Sequence, residues 1–356
     1  MGSEARRALL VTGGAGFIGS AFVRDAVLAR GCRVVTLDRL TYAGHLDNLA
    51  SVEGHAGHVF VQGDVCDRPL LSRLLAEHVP DAVVHFAAES HVDRSIDGPA
   101  EFVRTNVVGT FELLEAVRAY HATLDAEHAS RLRMLHVSTD EVFGSVEGEA
   151  RFDERTAYAP SSPYAASKAA ADLFVRSYHR TYGVPVITTN ASNTYGPFQL
   201  PEKLVPRMIA CALEGQPLPV YGDGGQVRDW LFVQDHVDAL RAILDGGKTG
   251  ETYLVGARNE RRNLDVVGAV CDLLDELAPS TTSYRDLITF VEDRPAHDRR
   301  YAIDPGRLEA ELGWRPRHRF EDALRETVRW YVDHGAWRAQ RITEDPLRRR
   351  GLVRRG

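Results

Sequence analysis

The sequence is poor in sulfur: its 356 residues include three methionines and four cysteines, Cys32, Cys66, Cys211 and Cys271. The cysteines are widely scattered, with no pair at metal-ligand spacing. That argues against a disulfide scaffold or a zinc site and for reduced thiols in a cytoplasmic protein, so no metal is expected. No run approaches the ~20 apolar residues that a membrane span requires, and the opening MGSEARRALL lacks the apolar core of a signal peptide. A basic excess is also missing. Lys and Arg total 43 against 50 Asp and Glu, a net charge of −7, which excludes a general nucleic-acid binder but leaves room for a local cationic cluster around a diphosphate. Internal repeats and low-complexity tracts are absent. Hydrophobic residues at 44% and charged residues at 26% are those of an ordinary globular enzyme, long enough for one large α/β domain and a smaller lobe.

Within the first 190 residues, short β-branched runs alternate with helical patterns. The runs are Ala8–Thr12, Arg33–Asp38, His58–Gln62, Ala82–Phe86, Met134–Ser138 and Val184–Asn190. Amphipathic stretches at Ile18–Arg30, Pro69–His78, Glu101–Tyr120 and Tyr164–Tyr182 separate them. This alternation predicts a Rossmann-type doubly wound parallel sheet with helices on both faces, and ligands beyond the carboxyl ends of its strands. After about Ser192, Pro and Gly interrupt the rhythm, as in YGPFQLPEK and EGQPLPVYGDGG. The expectation is a dinucleotide-binding domain over 1–192, a smaller α/β substrate lobe over 193–340 and a basic tail over 341–356 that is frayed. Segments near 229–262, including a helix at Asp235–Leu244, are candidates to return to the first domain. His121–Arg131 reads as a polar surface insertion.

Leu9–Ser20 reads LLVTGGAGFIGS, a strand running through glycines into a helix. Gly13, Gly16 and Gly19 allow a tight turn, close backbone approach to a diphosphate and tight helix–strand packing, and the helix N-terminus offers unpaired N–H groups. Asp38 ends the second strand 19 residues after Gly19. A carboxylate there accepts from a ribose 2′-OH and repels a 2′-phosphate, favouring NAD over NADP, with Arg39 next door as the counter-signal. Asp64 after the third strand and Phe86–Ser90 after the fourth, with Ala87, Ala88 and Glu89, stand where a cofactor passes; turn chemistry alone would also account for them.

Tyr164 and Lys168 are four apart at a helix start and share a face. A tyrosine acting as base near pH 7 must fall by about three pH units, about 4 kcal/mol, and an adjacent ammonium together with a cationic nicotinamide favours the phenolate. A YxxxK pair alone is common by chance. Its weight comes from MLHVSTDEVFGS, which sets Thr139, Asp140 and Glu141 at the end of the fifth strand. Two neighbouring carboxyl groups in a closed site cannot both ionise cheaply, so one is driven toward the neutral acid. An elimination needs this pair: a carboxylate to remove a carbon-bound proton and an acid to protonate the departing hydroxyl. An acidic loop capping a helix is the bland alternative, and the company of Tyr164 and Lys168 disfavours it.

TGGAGFIGS, LDRLTYAG, HFAAESHVDRS, VSTDEVFGS, SPYAASKAAAD, NTYGPFQLPEKL, GQVRDWLFV and DRPAHDRRYAID together resemble the dTDP-glucose 4,6-dehydratase family of the extended short-chain dehydrogenase/reductase superfamily, from about Ala8 to Trp330. TGxxGFIG and YxxxK mark only the superfamily; the Thr-Asp-Glu triplet and the PEKL and DRPxHD segments are more specific. The resemblance implies a hydro-lyase that converts dTDP-glucose to dTDP-4-keto-6-deoxyglucose by C4 oxidation, loss of water across C5 and C6, and hydride return to C6, with tightly bound NAD regenerated each turnover. It implies that Thr139 and Tyr164 serve the oxidation, Lys168 holds the nicotinamide ribose, Glu141 takes the C5 proton and Asp140 protonates the leaving hydroxyl. Cofactor positions would be Gly13, Gly16, Phe17, Ile18, Gly19, Asp38, Arg39, Leu40, Thr41, Asp64, Val65, Phe86–Ser90, Thr105, Tyr164, Lys168 and Thr194. Substrate positions would be Ser90, Thr139, Asn193, Lys203, Leu204, Pro219, Val220, Tyr221, Arg228, Asn263, Arg294 and His297, with Arg228 and Arg294 as guanidinium forks on the diphosphate. The helices at Glu101–Tyr120 and Tyr164–Tyr182 resemble those of a four-helix homodimer seam.

The chain departs from the family pattern in three places: Thr194 stands for Asn, Asn190-Ala191 for Arg-Cys, and Ala296 for Gly, the last mattering if that turn requires positive φ. Rival readings are a 4-epimerase or uronate decarboxylase, neither of which needs an acid–base carboxyl pair for water loss, and a noncatalytic dinucleotide sensor, which could lose Tyr164, Lys168 and both carboxyls without cost. The nucleotide base and the pathway served are not written in the residues themselves.

Overall fold

A computed structural model describes residues 7–341; the basic tail expected at 341–356 lies, apart from Arg341, outside the described residues. Twelve strands run in chain order as β1 (Ala8–Thr12), β2 (Arg33–Asp38), β3 (His58–Gln62), β4 (Ala82–His85), β5 (Arg133–Thr139), β6 (Val186–Ala191), β7 (Asn193–Tyr195), β8 (Leu218–Tyr221), β9 (Val227–Phe232), β10 (Thr252–Val255), β11 (Glu260–Arg262) and β12 (Ile288–Val291). Seven of them form one sheet in the order β10-β6-β5-β4-β1-β2-β3, parallel at every pairing. All five residues of β1 are buried, as are those of β4, β6 and β10, because helices cover both faces. Uninterrupted apolar strands are the sequence mark of that arrangement. The edge strand β3 is only partly covered, with Val59 and Gln62 exposed.

One apolar core packs Leu10, Leu37, Leu71, Leu113 and Val175 beneath the helices Arg68–His78, Gly109–His121 and Pro163–Tyr182. The other begins at Phe22 and Val27 and continues through the helix Val233–Gly246 into Trp230, Val267, Leu324 and Trp337 of the later residues. Those later residues add two small sheets, β11-β9-β7 and β12-β8. The chain re-enters the large sheet at β10, beside β6. The strand order reverses between β1 and β4, and that switch point is where a crevice must open.

Two of the expected helices are less regular than their sequence pattern. The first is α-helical over Phe17–Arg24 and then widens into a π-helical turn at Asp25–Ala29. The other runs from Pro99 to His121 but is π-helical at Val103–Val108. That widened turn carries Asn106, whose amide donates to the Glu89 carbonyl (3.0 Å) and Ser167 Oγ (2.8 Å) and accepts from Glu89 N (2.8 Å). A π-bulge at such a place trades helix regularity for the aim of one side chain. The insertion at His121–Arg131 contains an exposed helix, Ala126–Arg131, with no buried residue.

Near the end of the described chain, Trp337 Nε1 donates to Asn48 Oδ1 (3.3 Å) and Arg341 Nη2 pairs with Asp47 Oδ2 (2.8 Å). Asn48 in turn donates to the carbonyl of Ala15 (2.9 Å), inside the glycine turn. The late segment therefore props the first loop.

Ala296 adopts φ +51°, so the departure from glycine places a methyl in the left-handed region. That conformation costs an L-residue about 1 kcal/mol. Ala296→Gly is expected to raise the denaturant midpoint of the protein by a corresponding amount, less the entropy that glycine adds to the unfolded chain. A lower midpoint would show that the alanine methyl contributes more in contacts than it costs in strain.

Candidate active site

The switch point opens as a cleft of about 300 Å³, lined from one end by the glycine turn and from the other by Thr139, Asp140, Glu141, Tyr164 and Lys168. Gly13 sits at φ +71°, and a Cβ there would stand 2.4 Å from Ala87 N; at Gly19 it would stand 2.2 Å from Gly13 O. Neither position has room for a side chain. The helix Phe17–Arg24 begins with no side-chain cap and no acidic residue in its first turn, leaving its N–H groups free for an anion. Asp38 is buried and accepts from Ala15 N (2.9 Å) and Leu40 N (2.8 Å). Burial raises its pKa against those backbone donors. Arg39 leans away toward Asp64 (3.5 Å), which Arg104 also meets (3.3 Å). A cradle without Cβ atoms, an open helix N-terminus and a strand-end carboxylate fit a dinucleotide.

The expected cofactor positions line this cleft, with one difference. Leu40 does not: its backbone at φ +57° serves to turn an N–H toward Asp38. Thr194 does, and its hydroxyl hydrogen-bonds with His236 Nδ1 (2.9 Å) while its carbonyl accepts from Gln199 Nε2 (2.8 Å). His236, Gln199 and Asn106 were missed by sequence reading. The polar Asn106 amid the apolar stripe of its helix was the one available signal.

The reacting end is assembled from three elements. β5 delivers Thr139, which caps a short 3-10 turn, Asp140–Phe143, by accepting from Glu141 N (3.3 Å). Ser162 caps the helix Pro163–Tyr182, accepting from Ala165 N (3.1 Å), with Pro163 at its first position and Gly183 closing it at φ +68°. This fixes Tyr164 and Lys168 in its first two turns, both buried. Lys168 Nζ donates to the Val137 carbonyl (2.9 Å), and burial lowers its pKa to about 8 against the opposing pull of Asp172.

The Tyr164 phenol by itself is raised, first by burial and then by the charge of Glu141, with a hydrogen bond to Thr139 acting the other way; the expected fall belongs to the site with a cationic nicotinamide alongside. The physical reason is placement: Lys168 spends its nearest hydrogen bond on a strand carbonyl, while the carboxyls of Asp140 and Glu141 face the same space.

The two carboxyls are unlike. Asp140 is 1% exposed, and burial followed by the neighbouring Glu141 raises its pKa well above the ordinary value. Its Oδ2 finds no partner among the described residues. Glu141 is also raised by burial, but Arg294, Lys203 and Arg228 all pull it back. The arrangement disfavours the charged form more at Asp140 than at Glu141.

Of the expected substrate positions, Ser90, Thr139, Asn193 and Lys203 line the cleft, with Lys203 Nζ on the Ser90 carbonyl (2.6 Å). The others stand outside its lining, on the later residues. Arg228 donates to the carbonyls of Val227 and Asp298 (both 2.8 Å) and lies 4.0 Å over the Tyr301 ring. Arg294 (3.2 Å) and the Tyr221 hydroxyl (3.0 Å) both meet Asp93. His297 pairs with Asp293 (2.6 Å). Pro219 and Val220 are buried in β8, Leu204 opens the helix Leu204–Leu213, and Asn263 opens Asn263–Leu277 with its Oδ1 buried and unpartnered.

A parallel sheet with a glycine cradle at its switch point and a Tyr–Lys pair beside it defines the class as a short-chain dehydrogenase/reductase of the extended type. Residues 10–327 match the model of the GDP-mannose 4,6 dehydratase family. The chain is 58% identical over 330 residues to the dTDP-glucose 4,6-dehydratase of Xanthomonas campestris pv. campestris, covering 92% of this chain and 94% of that one. It is 53% identical over 338 residues to dTDP-glucose 4,6-dehydratase 1 of Escherichia coli, with the same coverage. It is also similar to the crystal structure of DesIV, a dTDP-glucose 4,6-dehydratase of Streptomyces venezuelae with NAD and TYD bound, at TM-score 0.84 and 46% identity over 93% of this chain and 98% of that one. The chain belongs to this family of nucleotide-sugar 4,6-dehydratases.

Gly19→Ala is expected to leave the secondary structure in place and to strip the protein of dinucleotide, because the added methyl meets the Gly13 carbonyl. Absorbance of the supernatant after denaturation of wild type and variant measures this directly. Equal dinucleotide content in both would refute the cradle.

Proposed function

We propose that the chain catalyses the NAD-dependent dehydration of dTDP-glucose to dTDP-4-keto-6-deoxyglucose, a hydro-lyase reaction. The observation that carries it is the unequal pair of a buried Asp140 and a half-buried Glu141 in one cleft with Tyr164 and Lys168. An epimerase or decarboxylase on this fold has no use for such a pair. The choice of dTDP rests on the relatives at 53% and 58% identity.

The chain up to residue 192, with the helix Val233–Gly246 and β10 returning to it, forms the cofactor domain in this reading, and the rest of 193–340 the sugar-nucleotide lobe. The glycine turn, the Phe17–Arg24 helix N-terminus and Asp38 would hold NAD, which when bound supplies the acceptor that takes hydride from C4 and returns it at C6. Tyr164, hydrogen-bonded with Thr139, is the group placed to take the C4 hydroxyl proton, and Lys168 holds positive charge close by to favour its phenolate. Glu141 removes the C5 proton, acidified by the C4 ketone, and gives it back to C5 when C6 takes up hydride. Asp140, kept protonated by burial and by Glu141, delivers its proton to the C6 hydroxyl as it leaves. Arg228, Arg294 and Lys203 surround the acidic pair with positive charge suited to a diphosphate. The test is a comparison of dTDP-glucose, UDP-glucose and GDP-mannose as substrates, read by the absorbance of the alkali-treated 4-keto product; preference for either of the latter two would overturn the assignment.

Since the acid and base act after oxidation, the double variant Asp140→Asn, Glu141→Gln is expected to turn over about 10²–10⁴-fold more slowly while still showing NADH absorbance on adding substrate. Absence of the 340 nm signal would show that the carboxyls serve the first step instead.

The protein acts as a homodimer in this reading. Val103, Val108, Leu173, Phe174 and Tyr182 stand exposed on the two long helices, and a cluster of that kind is a surface for association. Sedimentation at micromolar concentration is expected to give a dimer, and Leu173→Glu a monomer. Its four cysteines, free in the structure, support a cytoplasmic location.

A further inference from the structure

The helix bearing Tyr164 and Lys168 carries, one turn further on, a carboxylate that the proposed chemistry does not use. Asp172 is 0% exposed. His136 Nε2 of β5 donates to its Oδ1 (3.0 Å), while Asn190 Nδ2 of β6 (3.0 Å) and the Tyr158 hydroxyl (2.9 Å) donate to its Oδ2. The same Asn190 amide also donates to the main-chain carbonyl of Thr139 (3.0 Å). Asp172 thus ties the helix to the ends of two strands, and reaches the Thr139 backbone through one intermediate.

Such a carboxylate needs a countercharge. Against burial, His136 holds the carboxyl below its usual range, chiefly through their hydrogen bond, but burial and Lys168 lower the imidazole's own pKa. Arg176 stops at the Tyr158 hydroxyl (2.5 Å). Lys168, buried four residues earlier on the same helix face, is the other cation that acts on Asp172, and its own hydrogen bond goes to an uncharged carbonyl. Each charge without the other would be a lone ion in an apolar interior, which proteins avoid by neutralising the group.

We propose that Asp172 is a positioning residue for this reaction: it supplies the buried negative charge opposite Lys168 and, through Asn190, fixes the strand end that presents Thr139 to Tyr164. Asn190, one of the departures from the family pattern, is then the connector between charge and strand. The inference rests on the dehydratase reading, and wild-type turnover of dTDP-glucose tests that reading separately.

The groups facing Lys168 are His85 from β4, His136 from β5 and Asp172 from its own helix; Tyr164 faces Glu141, Asp140 and Asp172. Asp172 raises the pKa of both Lys168 and Tyr164. Removing its charge lowers both, so both limbs of the pH–rate profile move the same way.

The test uses the NAD-loaded enzyme. Asp172→Asn is expected to shift the whole profile toward acid by about one pH unit, with cofactor content unchanged. Asn190→Ala keeps the charge and cuts the connection: it is expected to leave the profile in place, lower kcat about tenfold and spare KM. A purely structural role would lower the thermal midpoint in both variants and leave pH profile and kcat alone. An unshifted profile in Asp172→Asn, with wild type active, overturns the proposal. If that variant does not accumulate as folded holoenzyme, Asn190→Ala decides alone: wild-type kcat overturns the proposal and a selective loss of kcat supports it.

Discussion

The site depends on an electrostatic inequality between two adjacent carboxyl groups. Asp140 and Glu141 are consecutive in the chain, yet the 3-10 turn that follows β5 gives them different company. Both line the cleft, but of the nearby cations only Arg228 acts on Asp140, whereas Arg294, Lys203 and Arg228 all act on Glu141. In water the two would ionise alike. In a closed cleft, their mutual repulsion is relieved only if one keeps its proton, and the cations decide which. An acid and a base side by side at one pH follow from this placement, without any unusual residue type.

The cations are themselves held. Arg228 is pinned by two main-chain carbonyls and a tyrosine ring, Lys203 by the Ser90 carbonyl, and Arg294 by Asp93 from the far side of the crevice. Their charge is therefore oriented in advance, and little reorganisation is needed when an anionic ligand or a developing negative charge arrives. Asp93 has a special place here: it lies in the helix Val92–Asp97 after β4 and joins two residues of the later lobe, Tyr221 and Arg294.

The large sheet was legible because its strands are buried on both faces and so read as unbroken apolar runs; β1, β2 and β3 lie where the pattern put them. The glycine turn was legible because steric exclusion leaves only one residue type at Gly13 and Gly19. Tyr164, Lys168, Asp140 and Glu141 were found from spacing and strand-end position, and they meet in one cleft. What the sequence did not reveal are features set by tertiary contact. The widening of the helix at Val103–Val108 leaves no periodic trace, so Asn106 passed unnoticed. Arg228 and Arg294 lie 66 residues apart and converge on Glu141 only through the folding of the small lobe. Spacing along a helix likewise says which residues are neighbours, but not that Lys168 would turn to a strand carbonyl.

The prop beneath the glycine turn has a consequence for how the molecule comes into being. Trp337 and Arg341, which brace Asn48 and Asp47 under Ala15, leave the ribosome more than three hundred residues after it. A nascent chain long enough to fold its parallel sheet still lacks this brace. Full support of the glycine turn thus waits for this late segment, and a fragment severed ahead of it would carry the turn without its brace.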